Sequence, residues 1–320
     1  MSYSPTFSWS GRNDGDGPEH ARWFTTISPL PFDPLNEQSA TSGPSLPTTS
    51  VTIVGFASDE GVRRNHGRVG AHEGPAKALT ALGSLTVHHS IPTFDGGIIS
   101  VDGEDLEGGH QALTQAVSSV TGAGSTCIVV GGGHETAYGT HMGLVRSVGE
   151  ARIGIINFDA HFDLRTADRP TSGTPFKQIA EAVDDFRYTV VGISRPNNTR
   201  VLFDEAERLG VTVVTDDELR RQSVEDIIAM AARDVDILHV SIDLDVLPAA
   251  VAPGVSAPAA VGVPLNTIRD GLAACIRTNK VKLIDIVELN PTYDVDDRTA
   301  KVAARLVSDA TSLIEETTQA

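Results

Sequence analysis

From residue 51 onward, short runs of β-branched apolar residues alternate with stretches whose apolar positions recur at helical spacing. That alternation constrains the fold more than anything else in the chain, because neighbouring parallel strands need crossovers between them and those crossovers are usually helices. Strands are expected at 51–56, 126–130, 152–158, 188–192, 211–214, 237–242 and 282–287, with a weaker one near 91–94. Helices are expected at 75–82, 110–120, 201–209, 224–232, 265–277 and 298–317. With no internal repeat and no linker in this stretch, residues 51–320 read as one α/β domain around a central, mainly parallel sheet. Residues 1–50, rich in Ser, Pro, Gly and Thr, read as an irregular N-terminal arm that Trp9 and Trp23 help to dock.

Three of the expected strands end in unusual segments: Gly131-Gly132-Gly133-His134-Glu135, Asn157-Phe158-Asp159-Ala160-His161-Phe162-Asp163 and Ser241-Ile242-Asp243-Leu244-Asp245. Ligands of open parallel sheets bind just past the carboxyl ends of strands, so these segments converge on one edge. In extended backbone, side chains two apart share a face, which lets Asp159, His161 and Asp163 meet Asp243 and Asp245. Clustered carboxylates without nearby Lys or Arg repel one another unless cations join them. Four carboxylates and two imidazoles suit two divalent ions of octahedral preference, with Mn²⁺ favoured, and no cysteine takes part. A water shared by two such ions is a nucleophile at neutral pH, so the implied chemistry is metal-assisted hydrolysis.

The neighbours admit two readings each. Glu135 is either part of the site or an acid at a helix start, and His239 either orients a ligand or is a satisfied core histidine. His141 reads as structural or exposed.

The formal net charge of −17 speaks against nucleic-acid or anionic-membrane partners, both of which require a positive field. The two cysteines, Cys127 and Cys275, sit in separate apolar stretches and suggest neither a disulfide framework nor a thiolate site. There is no leader-like segment and no membrane-length apolar run, so a cytoplasmic location is expected.

Together with Asp285-Ile286-Val287-Glu288-Leu289-Asn290-Pro291, the three segments resemble the ureohydrolase family of arginases and agmatinases, in order and spacing, over residues 51 to about 315. The resemblance implies a three-layer α/β/α arginase-like domain holding two Mn²⁺ per subunit in a homo-oligomer. It implies hydrolysis of a carbon–nitrogen bond in a guanidine or amidine by a metal-bridging hydroxide. His134, Asp159, His161, Asp163, Asp243 and Asp245 are then the metal ligands, and Glu288 anchors the cationic carbon group.

Further segments, among them Asn65-His66-Gly67-Arg68-Val69-Gly70-Ala71 and Ser172-Gly173-Thr174-Pro175-Phe176, resemble the branch of that family that converts N-formimidoyl-L-glutamate to L-glutamate and formamide. A substrate with two carboxylates calls for cations and hydroxyl donors. Arg165, Ser172, Thr174, Arg195 and Asn197 are the candidates, although an ion pair for either arginine and a turn for Ser172 and Thr174 are the plainer readings. Arg63, Arg64 and Arg68 make a second basic spot, at the pocket rim or simply solvated. Arginases have an acid near Asn197 and a histidine proton shuttle where Phe176 stands, so neither role carries over, and Asp163 is the expected proton relay. Rival readings are an agmatinase, a guanidinobutyrase or an inactive metal-binding homologue.

Overall fold

Ten strands build the sheet: β1 (Ser2–Ser4), β2 (Ser28–Pro29), β3 (Val51–Ala57), β4 (Thr93–Ser100), β5 (Thr126–Gly131), β6 (Ile153–Phe158), β7 (Arg187–Ile193), β8 (Thr212–Thr215), β9 (Ile237–Asp243) and β10 (Val281–Val287). In the computed structural model, which describes residues 1–36, 46–47 and 49–319, their order is β1-β4-β3-β5-β10-β9-β6-β7-β8. Every pairing is parallel except that of β1 with β4, and β2 also lies on β4. The expected mainly parallel sheet is therefore present. Residues 37–45 and 48 of the expected arm, and residue 320, lie outside the described residues.

Helices cover both faces, because each strand alternates its apolar side chains between them. Val51 and Ile53 of β3 join one core, Val54 and Phe56 the other. On one face pack α3 (Gly74–Gly83), α8 (Val224–Ala231), α9 (Leu265–Arg277) and α10 (Arg298–Gln319). On the other pack α4 (Leu106–Gly122), α5 (Thr136–Val148), α6 (Pro175–Ala182) and α7 (Arg200–Arg208). The short α1 (Trp23–Thr26) lies in the arm, and α2 (Glu60–Arg64) follows β3.

The structure departs from the sequence expectation in β4, in the start of α4 and in the arm. β4 runs over Thr93–Ser100, well beyond 91–94, because Gly96 and Gly97 interrupt its apolar run at a register shift against β3, where Gly97 has φ 77°. α4 begins at Leu106 because the Asp105 side chain accepts the Gly108 N–H at 3.1 Å and caps it four residues before the expected start. The first fifty residues contribute β1, β2 and α1, and Trp23 is fully buried. Phe7 N and Trp9 Nε1 both donate to Asp95 Oδ2, at 2.7 and 2.9 Å.

Candidate metal centre

The four strands β5, β10, β9 and β6 are consecutive neighbours in the sheet, and all run parallel. Their carboxyl ends therefore deliver side chains from four distant segments to one place. His134 arrives through the glycine run after β5, which turns against the loop after β3: Gly132 N donates to Phe56 O at 2.8 Å and Gly133 N to Ser58 O at 3.0 Å. A Cβ at Gly132 would stand 1.8 Å from Ser58 O, so no other residue fits this approach. The Gly132 carbonyl in turn accepts Glu288 N at 2.7 Å, and Glu288 Oε1 accepts the His134 N–H at 2.8 Å.

Two overlapping ligand groups result: His134, Asp159, Asp163 and Asp243, then Asp159, His161 and Asp245. His134 Nδ1 lies 3.2, 3.0 and 3.1 Å from oxygens of Asp159, Asp163 and Asp243. His161 Nδ1 lies 3.1 Å from Asp245 Oδ2 and 3.6 Å from Asp159 Oδ1. Asp159 thus faces the first group with Oδ2 and the second with Oδ1, the disposition of a bridging carboxylate. Hydrogen bonds set these orientations, since His161 N donates to Asp159 Oδ1 at 2.7 Å, Asn157 Nδ2 to Asp159 Oδ2 at 3.0 Å and Asp245 N to Asp243 Oδ1 at 2.7 Å. Ser241 Oγ, 3.0 Å from His134 Nε2, fixes the ring so that Nδ1 faces the carboxylates.

The electrostatics call for cations. Burial pushes the Asp243 carboxyl well above its usual range, and Asp245 and Asp159 add to the shift. Asp163 is raised by burial and by Asp159, and Asp245 is raised to about 6 by burial against the opposing pull of His161. Asp245 holds the His161 imidazole up to about 12, against burial. Burial works against a charged His134 too, but the three aspartates outweigh it and hold it well above the usual imidazole range. His134 Nδ1, Asp245 Oδ1 and Glu288 Oε2 are buried without a hydrogen-bond partner among the described residues. Mixed imidazole and carboxylate donors with unused lone pairs fit two divalent cations.

Beside the ligands opens a cavity of about 300 Å³. Glu288 and Asp163 reach it from left-handed backbone, at φ 70° and 50°, a strain that concentrates at functional sites. Glu288 is pushed well above the carboxylate range, first by burial and then by Asp243 and Glu135. Arg165 and Ser172 line the cavity as well. The Arg165 guanidinium makes no hydrogen bond or ion pair among the described residues, and Ser172 Oγ accepts from Asn65 Nδ2 at 3.2 Å.

Other sequence candidates stand elsewhere. Thr174 Oγ1 closes a turn, accepting from Thr171 N at 2.9 Å and lying 3.0 Å from Thr171 O. Arg195 packs 5.4 Å from the Phe203 ring and Asn197 is exposed, because the 3₁₀ turn Arg195–Asn197 carries both outside the cavity lining. The adjacent Asn198 lines it instead, with Nδ2 donating to Ala160 O at 2.8 Å and Oδ1 accepting Phe162 N at 3.2 Å. Arg63 and Arg64 are spent on Glu60, and Arg64 also on Glu107. Arg68 donates to Ser256 O at 2.9 Å and stacks 4.0 Å over Tyr293.

Glu135 stays outside both ligand groups. It accepts Ser58 Oγ at 2.6 Å and Gly61 N at 3.0 Å, and burial raises it to about 7. His239 binds Asp285 Oδ2 at 2.7 Å and His141 Nδ1 at 3.2 Å, so both histidines belong to a buried polar chain and neither is a ligand. Phe176 meets the His134 ring edge-on at 5.3 Å. Asn65, His66, Asn198 and Ser256 also line the cavity. The first two fall within a segment visible in the sequence, whereas nothing in the sequence marks Ser256.

The arginase family profile matches residues 49–312. The formimidoylglutamase of Corynebacterium efficiens is 46% identical over 306 residues, covering 94% of this chain and 93% of that protein. That of Klebsiella pneumoniae is 42% identical over 312 residues, covering 95% of each. Among solved structures, Trypanosoma cruzi formiminoglutamase with Mn²⁺ superposes with a TM-score of 0.78 at 27% identity, covering 83% of this chain and 94% of that one.

Proposed function

This chain belongs to the arginase family, and from that premise we propose that it hydrolyses N-formimidoyl-L-glutamate with water to L-glutamate and formamide, as a step of histidine degradation. The observation that carries the reading is the pairing of opposite charges across one cavity. Glu288 presents an unpartnered carboxylate oxygen, and Arg165 an unpartnered guanidinium. An amidinium at one end and carboxylates at the other match that pair, whereas agmatine would bring only an ammonium to Arg165 and arginine an ammonium beside its carboxylate.

The cations are proposed to be two Mn²⁺, held by His134, Asp159, Asp163 and Asp243 on one side and by Asp159, His161 and Asp245 on the other. When bound, they supply a water-derived nucleophile at neutral pH. The residues of the chain then position the substrate. Glu288 holds the amidinium by charge-assisted hydrogen bonds, which orients its carbon toward the ligand groups. Arg165 grips a substrate carboxylate with two parallel N–H donors, and Ser172 donates to a remaining oxygen. Asp163, which borders both the His134 group and the cavity, takes a proton from the attacking water. Arg195, Asn197 and Thr174, further from the cavity lining, keep at most an indirect part.

Cys127 and Cys275 are both buried and unpaired, which accords with a reducing cytoplasm as the place of action. No helix among the described residues is long and apolar enough to cross a membrane. The decisive assay loads the protein with Mn²⁺ and compares formamide and glutamate release from N-formimidoyl-L-glutamate with urea release from arginine, agmatine and guanidinobutyrate. Formamide is the expected product, and urea as the dominant product would overturn the substrate assignment.

A further inference from the structure

Departure of the glutamate nitrogen requires a proton, and few groups around the cavity are free to give one. Of its titratable lining, His161, Asp243 and Asp245 belong to the ligand groups, and Asp163, which belongs to one as well, already takes a proton from the attacking water. Glu288 is engaged with the His134 amide and assigned to the amidinium, and Arg68 and Arg165 do not release protons at working pH. His66 is the group that remains. It is exposed, and its imidazole has no hydrogen bond, ion pair or ring contact among the described residues. Histidine is the side chain that most often serves as a general acid or base, and this one is engaged by nothing else.

The backbone points the same way. His66 sits at φ 59°, a left-handed conformation that glycine or asparagine would adopt more readily. Among the described residues, three of the six non-glycine residues with positive φ line this one cavity: His66, Asp163 and Glu288. The residues flanking His66 are braced while its own side chain is not. Asn65 Nδ2 donates to Ser172 Oγ at 3.2 Å, and Arg68 Nε donates to Ser256 O at 2.9 Å. A Cβ on Gly67 would come within 2.8 Å of Val62 Cγ1 and 2.9 Å of Ser256 Oγ, so the turn has little room to shift. A histidine that serves no packing purpose is thus held in a costly conformation at the mouth of the metal cavity.

We propose that His66 is the general acid of this site, a proposal that rests on the formimidoylglutamate hydrolysis proposed above. After water adds to the amidine carbon, the bond from that carbon to the glutamate nitrogen breaks and its electron pair stays on the nitrogen. The His66 imidazolium gives that nitrogen a proton, and the carbon leaves as formamide with the oxygen of the water. Of the two protons of that water, Asp163 takes one and solvent the other; passed on, one restores His66 and one completes the ammonium of glutamate. The charges facing His66 are Arg68 and Arg165 as cations and Asp163, Asp243, Asp245 and Glu288 as carboxylates, with His161 among them and Arg63 at the end of α2.

The test uses Mn²⁺-loaded wild type, His66→Asn and His66→Gly. Both variants are expected to lose kcat by about 10²-fold or more at neutral pH, with KM within about twofold. Because the imidazolium is the active form, kcat falls in the wild type as pH rises through its titration, and this alkaline limb disappears in both variants. Added imidazole restores part of the rate of His66→Gly, and both variants melt at or above the wild-type temperature, since both residues suit positive φ. An unchanged kcat overturns the proposal. So does a raised KM with kcat intact, which makes His66 a binding residue, or a lower melting temperature without imidazole rescue, which makes it structural. If wild type itself releases urea instead of formamide, the substrate reading fails, and that outcome is distinct from any change confined to the variants.

Discussion

Arg165 is set apart from the other arginines near the site because its guanidinium has no hydrogen bond or ion pair among the described residues. Arg63 and Arg64 hold Glu60, Arg68 holds the carbonyl of Ser256, and Arg195 packs on Phe203. Replacing Arg165 therefore tests binding with little effect on stability. Arg165→Gln is expected to raise KM for N-formimidoyl-L-glutamate about 10- to 100-fold, the equivalent of about 1.5–3 kcal/mol for hydrogen bonds to a charged group. The unfolding free energy should change by no more than about 0.5 kcal/mol. Steady-state kinetics beside a denaturant titration check both, and an unchanged KM removes Arg165 from the substrate contacts. At this scale the sequence revealed most about residues whose spacing already fixes where they point. Asp159 and His161, like Asp243 and Asp245, lie two residues apart at or just past the ends of β6 and β9, so their convergence was legible. Arg195 and Asn197 were not, because a single 3₁₀ turn decides which of the three polar residues Arg195, Asn197 and Asn198 faces inward, and Asn198 is the one. Thr174 was ambiguous because a threonine before a Pro-led helix serves a turn as readily as a ligand.

Among the elements, the central strands and the long helices were readable because their apolar periodicity is strong, and the sheet edge was not. β4 carries Asp95, Gly96 and Gly97 where an apolar run would have marked it, and each has a task there. Asp95 is buried and accepts three donors, Phe7 N at 2.7 Å and Trp9 Nε1 at 2.9 Å from the arm and Gly97 N at 2.9 Å from its own strand. This carboxylate joins β1 and the turn after it to the sheet. Asp95→Ala would strand buried donors, so it is expected to cost about 2–4 kcal/mol and to speed proteolytic cleavage within the first thirty residues. No described residue of the arm lines the metal cavity, so kcat/KM of the surviving folded enzyme should match wild type. Limited proteolysis read by mass spectrometry, alongside the activity assay, tests this. A large loss of activity at full metal loading would mean that the arm acts on the site from the far edge of the sheet.

For the whole molecule, the metal centre ties stability to pH in a direction that reverses when the cations bind. In the metal-free protein the cluster retains protons: burial raises Asp245 to about 6, Asp245 holds His161 up to about 12, and burial drives Asp243 well above its usual range. Each of these groups binds protons more tightly in the folded state than in the unfolded one, where aspartate and histidine titrate near 3.9 and 6.5. These three groups therefore favour folding at low pH, and their contribution is lost as pH rises through the folded values, whereas Asp159, which against burial His134 and His161 hold below its usual range, contributes the opposite way. Divalent cations need the same groups deprotonated, so metal binding releases protons and strengthens as pH rises. Saturating Mn²⁺ at about one hundred times its Kd should add about 2.7 kcal/mol to folding stability near pH 8. At a fixed Mn²⁺ concentration the gain should shrink toward pH 5.5, where the cluster keeps its protons. The melting temperatures of metal-loaded and chelator-treated protein should consequently draw apart as pH increases, while the same acidic excess that gives the chain its net charge of −17 weakens both forms alike. Thermal melts at constant ionic strength from pH 5.5 to 8, with and without chelator, measure that divergence. A metal-induced shift that is the same at both ends would show that the cations bind without displacing protons, and that these histidines and aspartates are not their ligands.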